Sequence, residues 1–187
     1  MNAPQTTDGS NELLHARELL ERAGVTPHMT VADFGCGNAG YFTIPASTMV
    51  GDKGTVYAVD VVQTVLSSVS GAAKLAGCHN VQTVWSNLEH VGATKIPENT
   101  VDVTLLINIL FQTQDQASVI KEAARLTKAG GKILIVDWKI TATPLGPSQA
   151  VRISPESIRI AARDANLDEL DSFDAGHFHF GLLFRKL

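Results

Sequence analysis

The chain has 187 residues, 44% apolar and 18% charged, which excludes a disordered chain and provides apolar material for a buried core. Its net charge of −4 comes without a block of like charges, and this omits the basic footprint of a nucleic-acid partner. Two cysteines, Cys36 and Cys78, are too few for a disulfide framework and lack metal-ligand spacing, and no apolar run reaches the roughly 18–20 residues that cross a bilayer, so a reduced, cytoplasmic setting is expected.

Residues 1–11, MNAPQTTDGSN, are polar and without the apolar stretch of a signal peptide; a disordered tail is expected there, followed by one domain over 12–187. Apolar residues at Leu13, Leu14, Ala16, Leu19, Leu20 and Ala23 predict a helix over 12–23, stopped by Gly24. A strand follows over 29–34, running straight into a stretch with three glycines, FGCGNAGYF. A helix over 42–50 accommodates Pro45 only in its first turn. The β-branched run TVYAVDV predicts a second strand over 55–61, residues 62–76 return to helical spacing, and NVQTVWS predicts a third strand over 80–86.

The nearly continuous apolar run VDVTLLINIL (101–110) suits a central parallel strand covered on both faces. Asp115 can cap a helix over 116–128, closed by Gly130, and KILIVDW (132–138) predicts the fifth strand. Residues 139–153 are irregular, with Pro144, Gly146 and Pro147, and suit a loop that can act as a lid. Ser154, Pro155 and Glu156 open a helix running to about Ala165. The end, LDSFDAGHFHFGLLFRKL, predicts two strands around a turn at 174–176. Strand and helix alternating in this way imply a doubly wound, mostly parallel sheet, to which the closing hairpin adds an antiparallel strand near one edge.

Asp33, Gly35, Gly37 and Gly40 stand where the first strand passes into a helix, and glycines there tolerate positive φ and let a ligand approach the backbone. Asp60, at the end of the second strand, is placed to accept hydrogen bonds from a ribose diol. Gly35 to Gly40 also match the dinucleotide pattern G-x-G-x-x-G, so a nicotinamide-dependent oxidoreductase stays open at this point. Asp33 discriminates, because a carboxylate there repels a pyrophosphate but suits a cationic amino-acid tail.

DFGCGNAGYF, AVD, VDVTLLINIL, RLTKAGGKILIVDW and the closing GHFHFGLLFRK, in that order, resemble the motifs of class I S-adenosylmethionine-dependent methyltransferases, of the compact type related to the quinone-biosynthesis enzymes. The resemblance covers about 12–187 and implies a Rossmann-like α/β sheet of seven strands in the order 3-2-1-4-5-7-6, with strand 7 antiparallel. It implies S-adenosyl-L-methionine as cofactor, S-adenosyl-L-homocysteine as product and an in-line transfer of methyl to a small-molecule acceptor. It implies that Asp33, Gly35, Cys36 and Gly37 shape the methionine end, Asp60 holds the ribose, Val61, Asn87 and Leu88 border the adenine, and Asn108 faces the methionine. Two departures stand out: Asn87 replaces the family's usual aspartate, and Gly40 comes one position late in the loop. Cys36, inside the loop, reads as a packing residue rather than a nucleophile.

On the acceptor side, alternation sets His177 and His179 on one face of the last strand and Phe178 and Phe180 on the other. Asp137 ends the expected neighbouring strand, so Asp137 and His179 are expected to converge beside the transferred methyl and to assist a hydroxyl, enol or amine nucleophile. A non-catalytic cofactor-binding module and a protein-directed methyltransferase are the alternatives, and the sequence leaves the oligomeric state open.

Overall fold

The computed structural model describes residues 13–141 and 145–187. The expected tail over 1–11, the predicted helix start at Glu12 and Pro144 of the predicted lid lie outside the described residues. The chain runs α1 (Ala16–Ala23), β1 (Thr30–Phe34), α2 (Thr43–Val50), β2 (Thr55–Asp60), α3 (Gln63–Leu75), β3 (Val81–Trp85) and β4 (Val101–Ile107). It continues through α4 (Gln116–Leu126), β5 (Thr127–Trp138), α5 (Pro155–Asp164), β6 (Leu167–Asp174) and β7 (His179–Lys186).

The strands form one sheet in the order β3-β2-β1-β4-β5-β7-β6. β1 to β5 pair in parallel, and β7 runs antiparallel to both β5 and β6, as the resemblance implied. α4 and α5 cover one face, where Val119, Ile120, Ala123, Ile158 and Ala162 meet Phe34, Leu106, Ile133, Ile135, Leu182 and Phe184. α1 and α2 cover the other, where Leu19, Leu20, Ala46 and Val50 meet Val31, Val103, Leu105, Leu134, Val136 and Leu183. α3 joins that second face through Val65, Leu66 and Val69 against Ala58, which alternation puts on the same side as Val56. Covered on both sides, β4 has no polar face to present, which is why its sequence is an unbroken apolar run. The caps form as read: Asp115 accepts from the Ser118 amide at 3.0 Å, and Ser154 accepts from the Ser157 amide at 3.0 Å ahead of Pro155.

Boundaries move where local chemistry outweighs the apolar pattern. β4 stops at Ile107 because Asn108 turns to a left-handed φ of 55°, and a 3-10 turn follows over Leu110–Gln112. α4 ends at Leu126, two residues early, because β-branched Thr127 already pairs with Val101; the register then shifts before Val103 meets Lys132. Gly131 passes this irregularity only without a side chain, since a Cβ there would stand 2.7 Å from Thr127 Cγ2 and 3.0 Å from Asp102 O. β6 starts at Leu167, three residues before the predicted start, and accommodates Leu170 at a register shift between Glu169 and Asp171.

Candidate functional site

The site is assembled at the carboxyl ends of the parallel strands, beside the point where strand order reverses between β1 and its neighbours β2 and β4. Asp33 lies level with Ala58 on β2 and Leu105 on β4. Beyond it the chain leaves the sheet through Gly35 and Gly37, both with positive φ, at 69° and 65°. The amides of Gly35 and Cys36 donate to Val59 O at 2.8 and 3.2 Å, which fixes the loop against β2. A Cβ on Gly37 would meet nothing within 4 Å, so the loop presents open backbone on that side.

Asp60 closes the other side. One carboxylate oxygen accepts from the Val62 amide at 2.9 Å, and the amides of Gly37 and Val61 also face it. Partial burial pushes its pKa up while these amides pull it back. The carboxylate can accept two hydrogen bonds from a vicinal diol. Val61 is exposed beside it, and the half-exposed Trp85 donates its indole N–H to Val61 O at 2.8 Å. Asn87 Oδ1 accepts from the Glu89 amide at 3.0 Å, which leaves one lone pair to receive a further donor.

Three predicted site residues act from within the fold. Asp33 is buried, and Thr43 Oγ1 donates to its Oδ2 at 2.6 Å, so the carboxyl ties the end of β1 to the start of α2. Burial raises its pKa to about 6, with the Thr43 hydrogen bond opposing and the charge of Asp60 adding to the rise. Cys36 turns into the packing between Ala58 and α3, as the packing reading expected, and burial drives its thiol pKa upward. Leu88 is buried in the α4 face of the core. The last two therefore have only backbone to offer a ligand.

A buried ion pair unforeseen in the sequence supports the loop that follows β3. Glu122 on α4 accepts from Arg125 Nε at 2.8 Å and Nη2 at 2.7 Å, and from the amides of Gly92 at 2.8 Å and Thr94 at 3.0 Å. Burial alone would raise the Glu122 pKa, but these donors outweigh it and lower it to about 2. Thr94 in turn bonds Ser86, the neighbour of Asn87, hydroxyl to hydroxyl at 2.9 Å. In the sequence Glu122 looks like one more charged residue on a helix surface; nothing local shows that the 92–94 loop descends on it.

Toward β5 the expected convergence of Asp137 and His179 is corrected by register. Asp137 pairs with Phe180, whereas His179 pairs with Trp138, so the two side chains point to opposite faces. Asp137 sits on the α4 side, fully buried, accepting from the Trp138 amide at 2.8 Å and the Phe111 amide at 3.3 Å. It thereby holds the turn after Asn108, and burial raises its pKa to about 7 against the pull of these amides. Asn108 is buried at that corner; its amide donates to Val136 O and its carbonyl accepts from Gln112 Nε2, both at 2.8 Å. His177 does not share a face with His179: β7 begins only at His179, and His177 is exposed in the preceding turn.

Trp138 and His179 lie on the same face as Asp33. Their rings pack together at a centroid distance of 4.1 Å, tilted by 41°, and both are buried. Burial, followed by the positive charges of Arg152 and Lys139, lowers the His179 pKa to about 4, so the imidazole is neutral. Within the predicted lid, Gly146 packs against the Trp138 ring. Arg152 donates through Nε and both Nη groups to the carbonyls of Lys139, Thr141, Leu145 and Pro147, at 2.8–3.0 Å. Among the described residues, no helix is long and apolar enough to cross a membrane.

Comparison with known proteins agrees with this geometry. Residues 25–151 match the family described as a methyltransferase domain. The chain is 34% identical over 125 residues to the ubiquinone/menaquinone biosynthesis C-methyltransferase UbiE of Shewanella sediminis, a match covering 65% of this chain and 47% of that protein. The chain thus spans about half the length of the curated relatives it matches. It superposes on a SAM dependent methyltransferase from Aquifex aeolicus with a TM-score of 0.87 and 25% identity, covering 97% of this chain and 95% of that one. The geranyl diphosphate C-methyltransferase from Streptomyces coelicolor A3(2), solved with S-adenosyl-L-homocysteine, shares the fold at a TM-score of 0.74 and 15% identity, over 92% of this chain and 78% of that one.

Proposed function

Because this chain belongs to the methyltransferase domain family, we propose that it transfers a methyl group from S-adenosyl-L-methionine to a small-molecule acceptor. The observation carrying this reading is the pairing of Asp60 with the Gly37 backbone: a carboxylate faces a loop whose other side is open. Asp60 would hold both ribose hydroxyls. Val61 and Trp85 would flank the adenine, and the remaining lone pair of Asn87 Oδ1 would accept from its exocyclic amine. Gly35, Gly37 and the Asn108 corner would border the methionine end, with Asp33 acting through Thr43 to hold the loop in shape.

When bound, S-adenosyl-L-methionine supplies a methyl group activated on sulfur, open to in-line displacement by a nucleophile, with S-adenosyl-L-homocysteine as the product. The chain's own part is placement, and an effective molarity of ~10⁵ M or more is available from placement alone. Asp137, on the far face of the sheet, enters as a positioning residue for the turn at Leu110–Gln112.

Titration calorimetry with S-adenosyl-L-homocysteine and, separately, NADH tests the cofactor, and release of S-adenosyl-L-homocysteine over a panel of phenols, quinols and amines tests the transfer. Binding of the homocysteine compound with turnover on one acceptor class is expected. Affinity for NADH with none for S-adenosyl-L-homocysteine would overturn the reading.

A further inference from the structure

Both ring nitrogens of His179 and the indole nitrogen of Trp138 are buried with no hydrogen-bond partner among the described residues. Such a group has lost its water and gained nothing in exchange while it stays unmatched, so natural cores rarely keep one without a use. Here two side chains do so in contact with each other. The neighbours Phe180, Leu182 and Phe184 show that β7 readily takes apolar residues, so packing alone does not call for histidine at 179.

Their position gives the pair a use. Gly35 follows Asp33 by two residues, Ile107 follows Leu105 by two, and Ile107 pairs with Val136, so the glycine loop, the end of β4 and Val136 share one level. Trp138 and His179 lie one pleat repeat higher on that face, roughly 7 Å above the level, with Trp138 on β5 about 10 Å and His179 on β7 about 14 Å across the sheet from β1. They border the space just beyond the methionine end of the proposed cofactor pocket.

The indole is covered by a loop. A Cβ on Gly146 would lie 2.6 Å from the Trp138 ring, so the 145–152 segment rests directly on the indole. Arg152, its guanidinium 5.5 Å from the Trp138 ring centroid, ties this segment to the end of β5. The segment's own residues are largely exposed, with Leu145 and Val151 about half so. Displacing it would uncover the Trp138 ring, against which His179 packs, without opening the sheet.

Resting on the methyl-transfer reading for its role, we propose that Trp138 and His179 form the acceptor subsite and bind the hydroxyl of a phenol or enol beneath the 145–152 segment. The indole offers one N–H donor. The neutral imidazole offers a bare nitrogen to accept and an N–H to donate. A hydroxyl answers both residues at once: its proton goes toward the imidazole nitrogen, and its oxygen accepts from the indole. The positive charges of Arg152 and Lys139 favour the negative charge that a weakly acidic hydroxyl develops, and disfavour an ammonium group.

The test uses phenol as probe. The chain has two tryptophans, so Trp85→Phe leaves Trp138 as sole reporter, and the His179 ring nitrogens are followed by NMR in the unaltered protein. Saturable shifts of both signals on adding phenol are expected. Anisole, which has no proton to donate, should bind at least fivefold more weakly, and His179→Phe should weaken phenol at least tenfold while leaving S-adenosyl-L-homocysteine affinity within twofold. Unmoved imidazole signals, equal affinity of His179→Phe for phenol, or tighter binding of benzoate than of phenol would each overturn the proposal. Calorimetry with S-adenosyl-L-homocysteine on the unaltered protein separates the two readings. Homocysteine-compound binding without a phenol response removes this subsite alone, and a phenol response without that binding removes the methyl-transfer reading and leaves a hydroxyl site.

Discussion

At the β1–β2 end of the cleft the polar groups hold one another. Asp33 receives Thr43, Asp60 receives Val62, Val59 O receives two loop amides, and Trp85 reaches Val61 O. At the β5–β7 end, the Trp138 indole nitrogen and both His179 ring nitrogens are buried without such partners among the described residues, and a segment that Arg152 helps to tie down lies on the indole. The first end has its polar geometry complete before anything binds, which suits the invariant cofactor proposed for it. The second keeps unmatched hydrogen-bonding groups under a removable cover, which suits a ligand that must enter, be read and leave.

The sharpest break of this contrast is at Asp60. Asp60→Ala removes two charge-assisted hydrogen bonds, and a loss of 10²- to 10⁴-fold in affinity for S-adenosyl-L-homocysteine is expected by calorimetry, with far-ultraviolet dichroism unchanged. Phenol should still shift Trp138 in that variant. If the two losses come together, the ends are not independent and the contrast fails.

Next in size is the support under the loop that follows β3. Glu122→Ala leaves Arg125 with one fewer carboxylate and frees the amides of Gly92 and Thr94. Breaking a buried pair costs roughly 3–5 kcal/mol, or about 10 °C in Tm for a chain of this size. The sign with pH follows from the lowered pKa: Glu122 contributes its full share above its ordinary value near 4.5, and loses it as pH falls toward about 2. The acid limb of a stability profile should therefore flatten in the variant, while the profile above pH 5 moves down in parallel.

What could be read from the chain follows the same division. Gly35 and Gly37 are legible because a positive φ restricts residue type, and Asp60 because a carboxylate at the end of β2 comes to face their loop. The buried run of β4 and the closing hairpin announced the sheet for similar reasons. Asp137 and His179 misled because a strand's facing depends on register, and β7 meets β5 so that His179 faces Trp138, one residue beyond Asp137. Arg152 and Glu122 gave no signal at all, since their partners are main-chain groups brought in by tertiary packing.

Arg152 offers a milder test of the movable cover. Arg152→Ala removes the donors that gather Lys139, Thr141, Leu145 and Pro147, and limited proteolysis within 139–153 should speed up about tenfold. Arg152→Lys should not restore protection, because an ammonium cannot reproduce the planar fork. Affinity for S-adenosyl-L-homocysteine should stay within twofold; a larger loss would mean that the segment belongs to the cofactor end.

The smallest effect is expected at Asn87, where the chain departs from the family's usual aspartate. In Asn87→Asp one oxygen can still accept from the Glu89 amide, which Asn87 Oδ1 now does at 3.0 Å, and the other becomes a charged acceptor in place of an amide NH₂. A charge-assisted bond to the adenine amine is stronger than a neutral one, but the site is partly open to water, so a gain of only about fivefold in S-adenosyl-L-homocysteine affinity is expected. The control is the S-inosyl analogue, which carries a carbonyl where the adenine has its amine. A carboxylate facing that carbonyl repels it, so the variant should bind the analogue no better than the parent chain does. Equal gains for both compounds would place the effect in the general field of the added charge, and Asn87 would then lose its assignment to the adenine edge.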